Sequence, residues 1–469
     1  MIAPVPASVL DQIKAALGEG GWSTDPDRLA PKLVEWRDRW RGTTPLLALP
    51  KTTAEVAAVV GICAAEGVAI TPQGGNTGLV GGQIPQGEIL LSLERMRAIR
   101  DLDLFDDVIE VEAGAPLAAV QAAAHDAGRF FPVSLASEGT ASIGGLISTN
   151  AGGVGVLRYG TMRAQVLGLE AVLPNGEVWN GLRRLRKDNT GYDLKQLLIA
   201  AEGTLGVITA AALKLYPIMA SRAVAFVGLK TPHDAIALLA RAKGETGGGL
   251  EAFELISRLG LDLVCKNIPG QRPPVADHHA WAVLVEAASG EAGAAEAALE
   301  RLLAKALEDE LIQDAAIAQT EAQAHAFWAL RENQSAAQKP EGPCWKHDIS
   351  VPVSRIADFI ARAEAVVEAV EPGARIAAFG HVGDGNVHYD VLGAPGLAPE
   401  AHAALRDEAA RRIYELVAEL GGSISAEHGL GVMKVDEALA HKPAAEVEAL
   451  RAIRQALDPK RIMNPRVLF

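Results

Sequence analysis

Three histidines and one glutamate have the types and spacing to do chemistry. The stretch Ala377–Asp390, AAFGHVGDGNVHYD, carries His381 and His388 on either side of Gly383-Asp384-Gly385-Asn386. Those four residues tolerate the backbone angles of a tight turn. The flanking apolar runs Ile376–Phe379 and Val387–Val391 have the length of strands. A strand, a turn and a strand would bring both imidazoles to one end of a hairpin. Further on, SAEHGLG (Ser425–Gly431) supplies Glu427 and a third imidazole, His428. Two histidines and a carboxylate are a common ligand set for a catalytic divalent metal, with positions left open for water or substrate. His428 would then be left to act as a base. The other reading is that these are turn histidines with locally satisfied rings, and each segment alone leaves both open.

The rest of the chain has to position those groups. Its 469 residues are too many for one ordinary core and point to two or three domains. Hydrophobic residues make up 49% and charged residues 22%, a globular composition. The formal net charge of −14 argues against a nucleic-acid partner, and an anionic substrate would need a local cationic pocket. Cys63, Cys265 and Cys344 lie far apart without a CxxC pair, which argues against a disulfide framework and a structural zinc site. The first residues read as a cap and an amphipathic helix, not a signal peptide, and no run approaches the ~18 apolar residues of a membrane span. The expected compartment is the cytoplasm.

Glycine clusters in the first half, where close backbone approach is needed. Residues 8–41 read as helical, ending in EWRDRWRG. Thr52 or Thr53 would cap a helix from Ala54 to Glu66. The strand Val68–Pro72 opens directly into Gln73-Gly74-Gly75-Asn76-Thr77-Gly78. Such a loop can turn backbone N–H groups onto an anion, with Asn and Thr side chains as further donors. It is neither a Walker loop nor a GxGxxG fingerprint, and an ordinary glycine-rich loop is the alternative. A second small-residue block, Ser137–Gly153, suits a backbone lying flat against a planar or pyrophosphate ligand, and Glu202-Gly203 lies in a third. The basic run Arg183–Lys187 reads as a solvated face. A boundary falls around Met219–Arg222. Beyond it, strands alternate with helices, including one over Thr320–Gln338, as in an α+β cap. Helices over Pro399–Leu420 and Glu437–Leu457 close the chain.

PQGGNTGLVGG, SIGGLISTNAGG, LRYG, RKDNTGYDLKQL, AEGTLGVIT, GHVGDGNVH, SAEHGLG and DPKRIMNP occur in order. Together they resemble the FAD-linked D-2-hydroxyacid dehydrogenases of the vanillyl-alcohol-oxidase type, above all those acting on D-2-hydroxyglutarate, with D-lactate and glycolate dehydrogenases as cousins. The resemblance implies an α+β fold. An N-terminal helical segment (1–40) would precede a two-lobed FAD-binding domain (41–219). A substrate-binding cap (220–425) and a C-terminal segment (426–469) returning to the flavin would follow. It implies that Gln73 and Gly74–Gly78 hold the FAD pyrophosphate, including Gly75, Asn76 and Thr77. Ser137, Glu138, Gly139, Thr140, Gly144, Gly145 and Asn150 would help. Glu202, Gly203 and Ile208 would lie by the adenosine, and Asn464 would reach the flavin. No His or Cys stands in Pro72–Gly82, so the FAD is expected to be noncovalent. The resemblance makes His381, His388 and Glu427 ligands of a divalent metal, zinc by family pattern, and His428 the general base. It makes Arg331, Ser335 and Lys346 holders of substrate carboxylates, with Ser335 where the family has Thr. Asp390 stands where relatives often have Asn, and would repel an anion unless paired or protonated. The implied reaction oxidises a D-2-hydroxy acid, D-2-hydroxyglutarate or D-malate, and passes electrons to an electron-transfer flavoprotein or a quinone. A homodimer is possible on this pattern. D-lactate or glycolate oxidation and a noncatalytic flavin-binding subunit are the alternatives.

Overall fold

The computed structural model describes residues 4–275 and 279–468. It divides into two compact units: 1–153 with 160–218 and 427–469, and 154–159 with 219–426.

In the first unit, strands Leu47–Ala48, Ile89–Ser92 and Ile70–Gln73 pair in parallel, with Trp22–Ser23 antiparallel at the edge. The helix Thr53–Glu66 packs against the helix Ala7–Leu17 and shares one core with these strands. It starts where the Thr52 hydroxyl accepts the Glu55 N–H at 3.1 Å, and it ends at Gly67, whose φ of +69° suits glycine. Val56, Val59, Val60 and Cys63 face inward, each valine contributing about 2 kcal/mol by leaving water. The second lobe is a five-stranded antiparallel sheet, ordered Ile99–Asp103, Val108–Glu112, Val207–Lys214, Val166–Val172, Val178–Gly181. The C-terminal segment joins the first sheet: Ile70 N–H donates to the Ile462 carbonyl, and Asn464 N–H to the Ile70 carbonyl, both at 2.8 Å.

The second unit is built on one seven-stranded antiparallel sheet. Its order is Asp314–Ile317, Ser221–Leu229, Trp281–Ser289, Leu250–Ser257, Arg375–Gly380, Asn386–Leu392, Cys344–Ser350. The hairpin carrying the two histidines supplies the fifth and sixth strands of this sheet, with the edge strand Cys344–Ser350 beyond it. On one face the helix Ile356–Val370 buries Ile356, Phe359, Ile360, Ala363 and Val367, and Phe359 packs edge-on against Tyr389. Strand alternation therefore assigns the neighbours of Tyr389, His388 and Asp390, to the other face. The helix Glu321–Glu332 buries Phe327, Trp328, Leu330 and Arg331.

Several expectations fail locally. Residues 8–41 hold a helix over Ala7–Leu17 and one short helical turn over Pro26–Leu29 that tightens to 3-10 over Ala30–Lys32, and EWRDRWRG is turns. There the Glu35 carboxylate takes the N–H groups of Arg37 and Arg39, which offers the backbone an alternative to helix. The block read as flat backbone contains the helix Ile143–Thr149, capped by Ser142. The expected helix Thr320–Gln338 breaks at Asn333, and that over Glu437–Leu457 breaks at Pro443. The helix Arg258–Asn267 and the strand Ile99–Asp103 were not foreseen. Among the described residues, no helix is long and apolar enough to cross a membrane.

Candidate active site

Within the first unit the glycine blocks meet. A Cβ on Gly74 would fall 2.1 Å from Ser142 Oγ, and one on Gly75 would fall 1.9 Å from the Thr140 carbonyl oxygen. Glycine is therefore required by contact between two loops. Ser142 Oγ also accepts the Gly145 N–H, and Gly144 N–H donates to the Ala113 carbonyl at 2.7 Å. Asn150 closes that helix with φ +51°, and its side chain accepts the Arg163 N–H. Ser137, Glu138, Gly139 and Thr140 form the turn before it, where Glu138 accepts from Ser134 and Gln121.

Two side chains expected to serve a ligand also hold the loop's shape. Both donor bonds of the Asn76 amide go to the carbonyls of Pro31 and Val34, at 3.0 Å each. The Gln73 amide nitrogen donates to the carbonyls of Lys32 and Gln83. This corrects the reading of Asn76 as a side-chain donor to phosphate: the loop can offer N–H groups of its backbone, while its amide side chains anchor it to the segment before. Thr77 and Gly78 continue the loop, with the Gln83 amide donating to the Gly78 carbonyl.

The Glu202 carboxylate is likewise engaged. It accepts the N–H groups of Leu430 and Gly431 at 2.9 Å each, just beyond His428. Burial pushes its pKa up against those two bonds and the charge of Lys434. Glu202 takes the left-handed conformation, φ +49°, and Gly203 follows with φ +74°. Asn464 spans two of the glycine segments, donating to the Gly82 and Glu202 carbonyls at 2.9 Å each. Ile208 is buried in the core of this unit. Glu427 accepts the Gly153 N–H at 3.0 Å, and His428 is half-buried in the bend that follows.

Within the second unit, sheet register collects polar groups on one face. Lys346 pairs with Asp390, and Asp348 with His388, which also pairs with Phe379; Phe379 in turn pairs with Ile256. Directly opposed residues share a face, so Lys346, Asp348, Asp390, His388, Phe379, Ile256 and, two back, Glu254 lie together. The His381 and His388 rings are 5.8 Å apart. His388 Nδ1 lies 3.8 Å from Asp348 Oδ1.

His381 is fixed more tightly. Its Nδ1 is 2.8 Å from Glu254 Oε1, and its Nε2 is 3.3 Å from Arg331 Nη2. A carboxylate only accepts and a guanidinium only donates. Nδ1 is therefore the protonated nitrogen, and Nε2 presents its lone pair. Arg331 Nε donates to Glu254 Oε2 at 2.7 Å, and its guanidinium lies over the Phe379 ring at 4.9 Å. Burial alone would raise the Glu254 carboxyl; the His381 and Arg331 charges and hydrogen bonds outweigh it and hold it at about 2.

Asp390 is paired: Lys346 Nζ stands 2.8 Å from Asp390 Oδ2 and 2.9 Å from Gln338 Oε1. Its carboxylate is therefore compensated, and it removes charge from the lysine expected to grip substrate. Ser335 departs from expectation: Arg331 is buried, whereas Ser335 is exposed on the separate turn Gln334–Ala337, because the helix breaks between them.

Residues 44–181 match the family model described as an FAD binding domain, and residues 218–468 match that of the FAD linked oxidases, C-terminal domain. The chain belongs to the FAD-linked oxidases. It is an FAD-binding oxidoreductase. Among curated relatives, the D-2-hydroxyglutarate dehydrogenase, mitochondrial, of Arabidopsis thaliana is 37% identical over 453 residues, 96% of this chain and 80% of that one. The D-2-hydroxyglutarate dehydrogenase of Xanthomonas citri pv. viticola is 36% identical over 447 residues, 95% and 93% of the two chains. The fold is shared with p-cresol methylhydroxylase, at 16% identity and a TM-score of 0.76, covering 100% of this chain and 99% of that one. The expected α+β flavoenzyme fold of the vanillyl-alcohol-oxidase type therefore holds.

Sequence reasoning missed Glu254, Asp348 and Gln338. The signal for Glu254 was a carboxylate between Phe253 and Leu255 in the strand LEAFELIS, where an ionised group needs a partner.

Proposed function

We propose that this FAD-linked oxidase oxidises a D-2-hydroxy acid to the 2-oxo acid, with D-2-hydroxyglutarate the first candidate and D-malate the second, using a divalent metal at His381, His388 and Glu427. The observation that carries the reading is the polar face of the second unit, where two imidazoles lie beside the cations Arg331 and Lys346. The resemblance makes His381, His388 and Glu427 the three ligands. The imidazole–carboxylate donor set suits zinc, and the Glu254 bond to Nδ1 makes Nε2 the acceptor nitrogen of His381, the one a metal would take in place of Arg331.

Bound FAD would supply a hydride acceptor and a bound divalent cation would supply Lewis acidity for the C2 hydroxyl. The chain's own groups do the rest. His428 takes the hydroxyl proton, a task suited to an imidazole near neutral pH. Arg331 holds carboxylate in a bidentate grip and Lys346 adds a point charge. Glycine loops Gly74–Gly78 and Gly144–Gly145 hold the pyrophosphate of noncovalent FAD. An electron-transfer flavoprotein or a quinone is proposed as acceptor, a homodimer as the assembly, and the cytoplasm as the compartment, though the Arabidopsis relative's name carries the word mitochondrial. Reoxidation kinetics, sedimentation and cell fractionation test these three.

Anaerobic titration of the zinc-replete protein with D-2-hydroxyglutarate, D-malate, D-lactate and glycolate decides the substrate. Bleaching of the flavin band by a diacid and not by lactate is expected. Bleaching by lactate or glycolate alone would transfer the assignment to the monoacid reading, which the partial neutralisation of Lys346 by Asp390 favours. A yellow protein that none of them reduces would refute both. Chelation should abolish bleaching and zinc restore it; bleaching that survives verified metal removal leaves the histidines a structural role.

A further inference from the structure

We propose that Glu254 is the positioning residue of the site: one carboxylate sets the tautomer of His381 and docks Arg331, so that a metal ligand and the substrate-binding cation are held by a single group. The inference rests on the metal reading above and deepens it.

Three observations carry it. Glu254 is 1% exposed and divides its oxygens, Oε1 to His381 Nδ1 and Oε2 to Arg331 Nε. No water competes for it, so each bond is made in a low-dielectric setting where geometry is strictly enforced. Next, the strand Leu250–Ser257 runs between Trp281–Ser289 and Arg375–Gly380 in the sheet interior. The carboxylate therefore sits on a rigid element, whereas His381 lies just past the end of its strand and Arg331 in the last turn of a helix. Finally, Arg331 Nη2 faces the same Nε2 lone pair that a metal would use. Glu254 keeps the guanidinium at 3.3 Å from that nitrogen by holding its Nε; without it, the guanidinium would close further on Nε2 and compete with a metal, or swing away and leave the substrate carboxylate unbound. A carboxylate bonded to the far nitrogen also raises the basicity of the ligating one.

A purely structural ion pair would tie the helix Glu321–Glu332 to the sheet and do no more. The two roles separate on metal affinity. The experiment measures the zinc dissociation constant by competition with a chromophoric chelator, in wild type, Glu254→Gln and Glu254→Asp. FAD content and thermal unfolding are measured alongside. The expected result is a 10- to 100-fold weaker zinc affinity in Glu254→Gln with FAD content unchanged. Glu254→Asp, which keeps the charge but shortens the reach, should fall between the two. With zinc saturating, Glu254→Gln should also raise KM for the acid. A lower melting temperature with wild-type zinc affinity would overturn the proposal. If Glu254→Gln does not fold, the aspartate variant decides: unchanged affinity overturns, weakened affinity supports. Wild type that binds no zinc would bring down the metal reading itself, and this inference with it.

Discussion

Lys346 Nζ and Asp390 Oδ2 stand 2.8 Å apart across a register pair of the seven-stranded sheet, and Asp390 is 3% exposed. The pair is a substrate-selecting element if Lys346 meets the distal carboxylate. Asp390→Asn would free the lysine's charge without changing side-chain size. We expect the kcat/KM ratio of D-2-hydroxyglutarate over D-lactate to rise about tenfold, equivalent to ~1.4 kcal/mol. Measurement of both substrates on both proteins checks it; an unchanged ratio would show that Lys346 does not meet the distal group.

Gly75→Ala should cost the protein its flavin. The added methyl would sit 1.9 Å from the Thr140 carbonyl, a backbone atom with no rotamer to yield. Flavin absorbance per chain in the purified variant should fall well below that of wild type. Gly61→Ala, in the helix Thr53–Glu66 where nothing lies within 4 Å of the new Cβ, serves as the control and should keep its flavin.

Cys63 should resist alkylation in the native state. Burial pushes its thiol up to about 12, and only the thiolate attacks. Near pH 8 roughly one molecule in ten thousand would carry the thiolate at that site. Mass spectrometry after iodoacetamide should find Cys63 unmodified in folded protein and modified in urea.

Arg454 anchors the chain's end. Its guanidinium donates to the carbonyls of Val467, Met463 and Asn464, and it is 4% exposed. Arg454→Met would leave those carbonyls without their donor, at a cost on the order of 3 kcal/mol. Because Asn464 reaches back to Gly82 and Glu202, the variant should lose flavin as well as stability. Chemical unfolding with and without added FAD measures both; wild-type stability would refute the anchoring role.

Local chemistry made the histidine hairpin legible. Its flanking apolar runs have the length of strands, its turn is glycine-rich, and the structure has strands Arg375–Gly380 and Asn386–Leu392 where those patterns put them. The glycine blocks were legible for the same reason, since close approach leaves its mark at each residue involved. The helix Ile143–Thr149 was not, because Gly144 and Gly145 weaken a helical pattern that packing against Ala113 restores.

Residue types and their spacing along the chain thus determined the glycine loops and the imidazoles, and the flavoprotein fold followed from the family resemblance those motifs carry. Pairing across the fold was decided by tertiary structure alone. Glu254 meets His381 and Arg331 from a distant strand, and Asp390 is matched to Lys346 by sheet register. Asn76 turns its amide to Pro31 and Val34, away from the role its motif suggested. The reason is physical: a propensity belongs to one residue and its neighbours, whereas a buried charge or amide is satisfied by whichever group the packed chain brings within about 3 Å.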